Sequence, residues 1–279
     1  MLQPMTDTKD FEAMEKDGWG NPATAQAYAD GFAKATGIVA AGLADKVKAT
    51  KGSKVLDLCC GHGVVAAELF ARGASVTGLD FSEAMIKLAK VQVPDVEFVQ
   101  GDALNMEFPD QSFDAVTIGF GVPHFPDHAR GLAEAARVLK PGGRIAFSIW
   151  RGKGSEGSFG WLFDAVGRFG DPSITLPAGP DAHILVEPAV AQPMMDSVGF
   201  ADTELTDLGT QLSISAPEHL LDAFDQGAVR AASLLSRQSD AKREAIRQDL
   251  ATRVRSDGIK HEAGYWVPTP SVIVSAVRN

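Results

Sequence analysis

Residues 53–63, Ser53-Lys54-Val55-Leu56-Asp57-Leu58-Cys59-Cys60-Gly61-His62-Gly63, decide the fold. Ser53–Leu58 is a short β-type run between a Lys-Gly turn and a glycine-containing loop. Val64–Arg72 then reads as a helix and stops at Gly73, a favoured residue at a helix C-terminus. A glycine loop between a strand and a helix lets backbone amides approach a ligand closely, with the helix N-terminus behind them. The same alternation continues outward. Ser75–Leu79 is a second strand, and Ser82 stands as the N-cap of a helix carrying Met85, Ile86 and Ala89. Val96–Gln100 and Phe113–Ile118 are the third and fourth strands. Asp127 caps a helix running to Leu139, and the Pro141-Gly142-Gly143 turn launches a fifth strand, Arg144–Trp150. Strands separated by helices imply parallel pairing with right-handed crossovers, hence a doubly wound α/β sheet.

On the N-terminal side, residues 22–49 read as helical. On the C-terminal side the pattern changes. Residues 151–193 are rich in Gly and Pro and read as loops around one short helix near Trp161–Phe169. Thr203–Ile214 reads as a strand, two amphipathic helices follow within 217–256, and Ser271–Arg278 closes the chain as an alternating strand. Nothing marks a linker, so 1–279 is treated as one domain. Its parts are N-terminal helices (1–49), a core (50–150), a variable region (151–264) and a terminal strand segment (265–279).

The 279 residues carry 26 Lys and Arg against 36 Asp and Glu, a net charge of −10 that gives no general attraction to nucleic acid or anionic membrane. The apolar stretches are too short to span a bilayer, and residues 1–20 hold no apolar run that reads as a signal peptide. Cys59 and Cys60 are neighbours, with Cα atoms about 3.8 Å apart, too close for a relaxed disulfide. Free thiols suit a reducing compartment, so a cytoplasmic location is expected and no metal site is.

The placing of acids bears on the ligand. Asp57 stands where the first strand ends, Asp80 ends the second, and Asp102 follows the third. A charge at Asp57 repels a pyrophosphate and suits an ammonium or sulfonium group. A carboxylate at Asp80 can take both ribose hydroxyls of an adenosine cofactor. Gly61-x-Gly63-x-x-Ala66 also fits a dinucleotide fingerprint, which keeps an NAD(P)-dependent oxidoreductase as a competitor.

Taken together, VLDLCCGHG, VTGLDFSEAM, VQGDALNMEFPDQSFDAV and ARVLKPGGRIAFSIW resemble the successive motifs of class I S-adenosylmethionine-dependent methyltransferases. The nearest flavour is the small-molecule group that includes the ubiquinone and menaquinone C-methyltransferases. The resemblance is strong over about residues 50–150. It implies a Rossmann-like seven-stranded sheet of order 3-2-1-4-5-7-6 with strand 7 antiparallel. N-terminal lid helices and a helical insertion between strands 6 and 7 complete the expected architecture.

By position, the resemblance implies that Asp57, Gly61 and Gly63 surround the methionine part of S-adenosyl-L-methionine. Asp80 would bind the ribose, with Phe81 and Met85 against adenosine. Asp102 would meet the adenine amino group beside Ala103, and Gly119 would offer a carbonyl to the cofactor's ammonium. Tyr28, in an aromatic lid segment from Trp19 to Phe32, is the candidate for the cofactor's carboxylate end. Cys59 replaces the family's first glycine, so an ordinary backbone conformation is expected there.

His124, just after the fourth strand, is the candidate general base, because an imidazole titrates in the range where such proton transfer is efficient. The expected acceptor is a small, partly hydrophobic molecule, covered by the insertion and lined by aromatics such as Phe159, Trp161, Phe163 and Phe169. No Asn-Pro-Pro-Tyr run follows the fourth strand, which argues against methylation of nucleic-acid bases. The cation-rich stretch Arg237–Lys260 reads as a solvated helix face that could also draw an anionic acceptor. A second copy of the chain is carried as a candidate partner. A protein that binds the cofactor without transferring methyl is the remaining alternative.

Overall fold

The computed structural model describes residues 8–181 and 183–279; the first seven residues of the expected N-terminal segment lie outside them. The chain opens with α1 (Lys9–Gly20) and α2 (Pro22–Lys46). Then come β1 (Lys54–Leu58), α3 (Val64–Ala71), β2 (Ser75–Asp80), α4 (Glu83–Gln92), β3 (Glu97–Gln100), β4 (Phe113–Ile118), α5 (His128–Val138) and β5 (Leu139–Trp150). The remainder is α6 (Ser158–Phe169), α7 (Pro188–Ser197), β6 (Phe200–Leu208), β7 (Gln211–Ile214), α8 (His219–Gly227), α9 (Val229–Leu235), α10 (Asp240–Asp257), β8 (Ile259–His261), β9 (Gly264–Pro268) and β10 (Ser271–Arg278).

The main sheet has seven strands in the order β3-β2-β1-β4-β5-β10-β6. β1 pairs in parallel with β2 and β4, whereas β10 runs antiparallel to both β5 and β6. Counting core strands only, this is the expected order with an antiparallel seventh strand. Strand alternation divides the core between the two sheet faces. Val55, Val76, Ala115 and Ala146 point to the face covered by α2, α3, α4, α6, α8 and α10. Leu56, Leu58, Val116, Ile118, Ile145 and Phe147 point to the face covered by α5 and α7. The caps are as expected: Ser82 Oγ accepts from Met85 N, and Asp127 accepts from Arg130 N.

The variable region departs from expectation. Thr203–Ile214 is two strands, because the chain leaves the main sheet at Gly209-Thr210 and enters a second sheet of order β7-β9-β8. The return crossing is at Thr269, whose N–H donates to Thr210 O at 2.8 Å while the Thr210 hydroxyl donates to Thr269 O. Segment 265–279 is likewise divided between β9 in the small sheet and β10 in the main one. Residues 217–256 hold three helices, broken where Ala228 is extended between α8 and α9. A further helix, α7, begins inside the 151–193 stretch expected as loops; Pro188 sits at its start, where a missing N–H costs nothing, and Pro193 inside it masks the pattern.

Candidate active site

The loop after β1 turns through three left-handed residues: Cys59 (φ 56°), Gly61 (φ 51°) and Gly63 (φ 88°). The expectation for Cys59 is therefore wrong. A non-glycine residue there costs roughly 1–2 kcal/mol. The glycine stands instead across the contact: a Cβ on Gly121 would lie 2.5 Å from Cys59 Cβ, so Gly121 makes room for the cysteine. The other two glycines serve different ends. A Cβ on Gly61 would meet nothing within 4 Å, so this residue opens onto free space. Gly63 is buried, and a Cβ there would lie 3.2 Å from the Ala89 backbone, so it permits close packing of α3 on α4.

The three acids differ in environment. Asp57 is fully buried; its Oδ1 accepts from Thr117 Oγ1 at 3.0 Å, and its Oδ2 is buried without a partner. Burial pushes its carboxyl up to about 7, the Thr117 bond opposing and the Asp80 charge adding to the shift. Asp80 holds the ends of two loops together: Oδ2 accepts from Gly61 N and Oδ1 from Ser82 N, both at 2.9 Å. Burial raises its pKa too, against those backbone bonds. Asp102 is exposed and accepts from Leu104 N at 2.9 Å, with Ala103 buried beside it.

The N-terminal helices lie over this edge. Trp19 of α1 packs with Met85, Ala25 and Val229, and Phe81 lies against the same cluster. Ser82 Oγ donates to Trp19 O at 2.7 Å, fixing α1 to the start of α4. Beside the glycine loop is a small cavity of about 30 Å³ whose walls include Tyr28, Gly61, His62, Gly119 and Phe120.

Behind it is a much larger cavity of about 330 Å³. Its wall is largely aromatic, with Phe11, Trp19, Tyr28 and Phe32 from α1 and α2, Phe120 from just after β4 and Trp150 from the end of β5. Phe159 and Phe163 also line it, whereas Trp161 is buried in the core and Phe169 is exposed. The insertion contributes Gly227–Ala231 and Leu234. Tyr28 and Phe120 border both cavities. Tyr28 stacks on Phe32 at 5.0 Å and meets Trp19 edge-on at 5.2 Å, and burial drives its hydroxyl pKa up.

His124 is on the wall of the large cavity, and its Nδ1 lies 2.8 Å from Glu15 Oε2. Trp19 Nε1 donates to the same oxygen at 3.1 Å and lies 3.4 Å from His124 Nδ1, and Arg230 Nε donates to Glu15 Oε1 at 2.7 Å. Arg230 also donates to Pro123 O at 2.5 Å, next to His124. Burial would raise the Glu15 pKa, but the charges and hydrogen bonds of His124 and Arg230 outweigh it and hold the carboxyl below its ordinary value. An anionic Glu15 has no proton to give, so Nδ1 carries the hydrogen of the 2.8 Å bond whether His124 is neutral or protonated, and in the neutral ring Nε2 is the bare nitrogen.

Glu15, Arg230 and His183 are residues that the sequence pattern does not single out. Glu15 and Trp19 share a helix face by their i,i+4 spacing, the one local signal. His183 also lines the large cavity, with Nδ1 at 2.7 Å from Trp150 O. His62 and His128 are buried, and burial pushes His128 down to about 4. Of the seven cations of Arg237–Lys260, five pair with carboxylates: Lys242 with Asp171, Arg243 with Asp225, Arg247 with Asp222, Arg253 with Asp249 and Arg255 with Glu218; Arg237 donates to the carbonyls of Ser233 and Thr175. Among the described residues no cluster of His, Cys, Asp and Glu could hold a metal ion, and no helix is long and apolar enough to cross a membrane.

Residues 56–147 match the family model of the methyltransferase domain. The match spans 92 of the 279 residues and lies wholly within the core. Demethylmenaquinone methyltransferase of Listeria welshimeri is 45% identical to this chain over 108 residues, 36% of the chain and 46% of that protein. The chain thus spans about half the length of the curated relatives it matches. Two solved structures share the fold. The YcgJ protein of Bacillus subtilis has a TM-score of 0.57 at 20% identity, covering 87% of this chain and 99% of that one. Phosphoethanolamine N-methyltransferase 2 of Haemonchus contortus, solved in complex with S-adenosyl-L-methionine, has a TM-score of 0.58 at 17% identity, covering 96% of this chain and 60% of that one. With the methyltransferase match, nothing favours the oxidoreductase alternative.

The residues at the strand ends of this methyltransferase domain fit an adenosyl cofactor with a cationic end. The orphaned Oδ2 of Asp57 is a buried acceptor in want of a positive partner. Gly61 leaves room above the loop, and each Asp80 oxygen has a lone pair beyond its backbone bond.

Proposed function

We propose that this chain transfers a methyl group from S-adenosyl-L-methionine to a small, partly hydrophobic acceptor held in the aromatic cavity. The observation that carries the proposal is the shared wall: Tyr28 and Phe120 border both the space over the glycine loop and the large cavity. In this reading Asp80 holds the ribose hydroxyls, Asp102 the adenine amino group, and Asp57 with the Gly119 carbonyl favours the cationic end. The adenosyl group needs more room than about 30 Å³, so Tyr28 on the cavity wall shifts when it binds.

The cofactor supplies a sulfonium-bound methyl group, an electrophile that needs no covalent help from the protein. The chain's part is positioning and proton handling. The aromatic wall orients an apolar acceptor and keeps water out, and orientation of this kind lowers a barrier by several kcal/mol. His124 Nε2, bare in the tautomer that Glu15 selects, takes the proton of a hydroxyl or activated carbon, an effect worth roughly 10²–10⁴ in rate.

The test is thermal unfolding with added ligand. S-Adenosylmethionine or its demethylated product, at a hundredfold excess over Kd, should stabilise the fold by about 2.7 kcal/mol. Stabilisation by NADH and none by the methyl donor would overturn the proposal.

A further inference from the structure

Glu15 and the three groups that meet it come from three separate parts of the chain. Glu15 and Trp19 lie on α1, His124 lies in the loop after β4, and Arg230 lies on α9 of the insertion. Glu15 is buried and both of its oxygens are engaged: Oε2 by Trp19 Nε1 and His124 Nδ1, Oε1 by Arg230 Nε. Arg230 closes the circle by holding the carbonyl of Pro123, the residue before His124. A surface helix needs no carboxylate on its buried face, and burying one is costly unless charged donors satisfy it. Here every donor bears on the placement of one imidazole.

We infer that Glu15 is a positioning residue that fixes the tautomer and the orientation of His124, with Arg230 holding Glu15 itself in place. The chemical consequence is specific. With Nδ1–H committed to Glu15, the lone pair of neutral His124 is confined to Nε2. Were the proton on Nε2 instead, Nδ1 and the anionic carboxylate would face each other as two acceptors at 2.8 Å, with only the Trp19 Nε1–H, 3.4 Å from Nδ1 and shared with Glu15 Oε2, to offset their repulsion. Glu15 stands to His124 as an orienting carboxylate stands to a catalytic imidazole elsewhere, supporting it without touching the reacting atoms. The inference rests on the proposed role of His124 only for its effect on turnover; the tautomer is a property of the folded chain.

Two measurements separate these parts. The first is ¹⁵N NMR of the full chain labelled at histidine, alone and saturated with S-adenosylhomocysteine, with His124 assigned by the signal lost in His124→Gln. A protonated Nδ1 and bare Nε2 in the wild type are expected; a protonated Nε2 with bare Nδ1 would overturn the inference without any variant having to fold. The second is Glu15→Gln, close in shape but uncharged. It should lower kcat by roughly ten- to a hundredfold while both KM values stay within about twofold, and the tautomer signal should become mixed. A folded Glu15→Gln protein with wild-type kcat and unmixed signals would also overturn it. If His124→Gln keeps full turnover while the wild type shows the Nδ1–H tautomer, the base role of His124 fails and the positioning by Glu15 stands.

Discussion

Phe120 lies flat on Trp150, with ring centroids 3.7 Å apart and planes 8° from parallel. This contact holds the partition between the two cavities, and it does so on a strained backbone, since Phe120 has φ 59°. Its N–H is fixed by Ser148 Oγ at 3.0 Å. The strain and the ring make separable contributions. Phe120→Ala should cost about 3–5 kcal/mol for the lost buried ring. Phe120→Gly loses the same ring but regains roughly 1–2 kcal/mol of left-handed strain. Glycine's extra freedom in the unfolded chain gives back about 0.4–1 kcal/mol of that gain. The glycine variant should therefore be at least as stable as the alanine one in urea denaturation. An alanine variant more stable by over about 1 kcal/mol would mean the backbone strain is not there.

Asp57 makes a pH prediction. An unfolded aspartate titrates near 3.9, and burial raises the native value to about 7. Between these values the native state holds more protons than the unfolded one, so this residue's contribution to stability falls as pH rises from about 4 to 7. Asp57→Asn removes that slope. The variant should gain on the wild type across this window, by up to a few kcal/mol at pH 8. The same change should weaken S-adenosylmethionine binding, because it removes the buried negative charge. Urea denaturation at pH 5 and pH 8, with calorimetry at pH 8, reads both effects; a stability difference independent of pH would refute the assignment.

The half of the chain that carries the cofactor edge was legible because its signals are local. Val55–Leu58 and Val76–Leu79 are apolar runs of strand length, Ser82 and Asp127 are caps, and acids stand at consecutive strand ends. The cavity was not legible, because it is made by contacts across long separations. Glu15 and His124 are 109 residues apart, and neither announces the other. Thr203–Ile214 reads as one strand because Thr and Leu recur through it and Gly209 is the single local sign of a break; the pairing of Thr210 with Thr269 reveals that it changes sheets. Cys59 misled for a physical reason: the room for its side chain is made by a glycine 62 positions later, at Gly121.

Asp80 joins Gly61 to Ser82 besides its proposed role at the ribose. Asp80→Ala should weaken cofactor affinity by roughly ten- to a hundredfold, since hydrogen bonds to a charged acceptor are worth about 1.5–3 kcal/mol. It should also lower the Tm of the free protein, because the two loop N–H groups lose their acceptor. Unchanged affinity in a folded variant would take Asp80 out of the site.

The two histidines of the large cavity should behave differently. His124→Ala should leave cofactor affinity within about twofold and lower turnover by roughly 10²–10⁴. His183, tied to Trp150 O, should act on acceptor binding, so His183→Ala should raise the acceptor KM with less than about tenfold loss of kcat. Steady-state kinetics of both variants decide this; the opposite pattern would make His183 the base.

The most direct test of the whole account is the fate of the methyl group. The protein is incubated with S-adenosylmethionine carrying a deuterated methyl and with a panel of small hydroxylated apolar acceptors, and the products are followed by mass spectrometry. The account predicts an organic-soluble product that gains one labelled methyl, formed one-for-one with S-adenosylhomocysteine and formed more slowly by Asp80→Ala at sub-saturating cofactor. Tight binding of S-adenosylmethionine with no label in any acceptor of this class, and no S-adenosylhomocysteine above background, would contradict it.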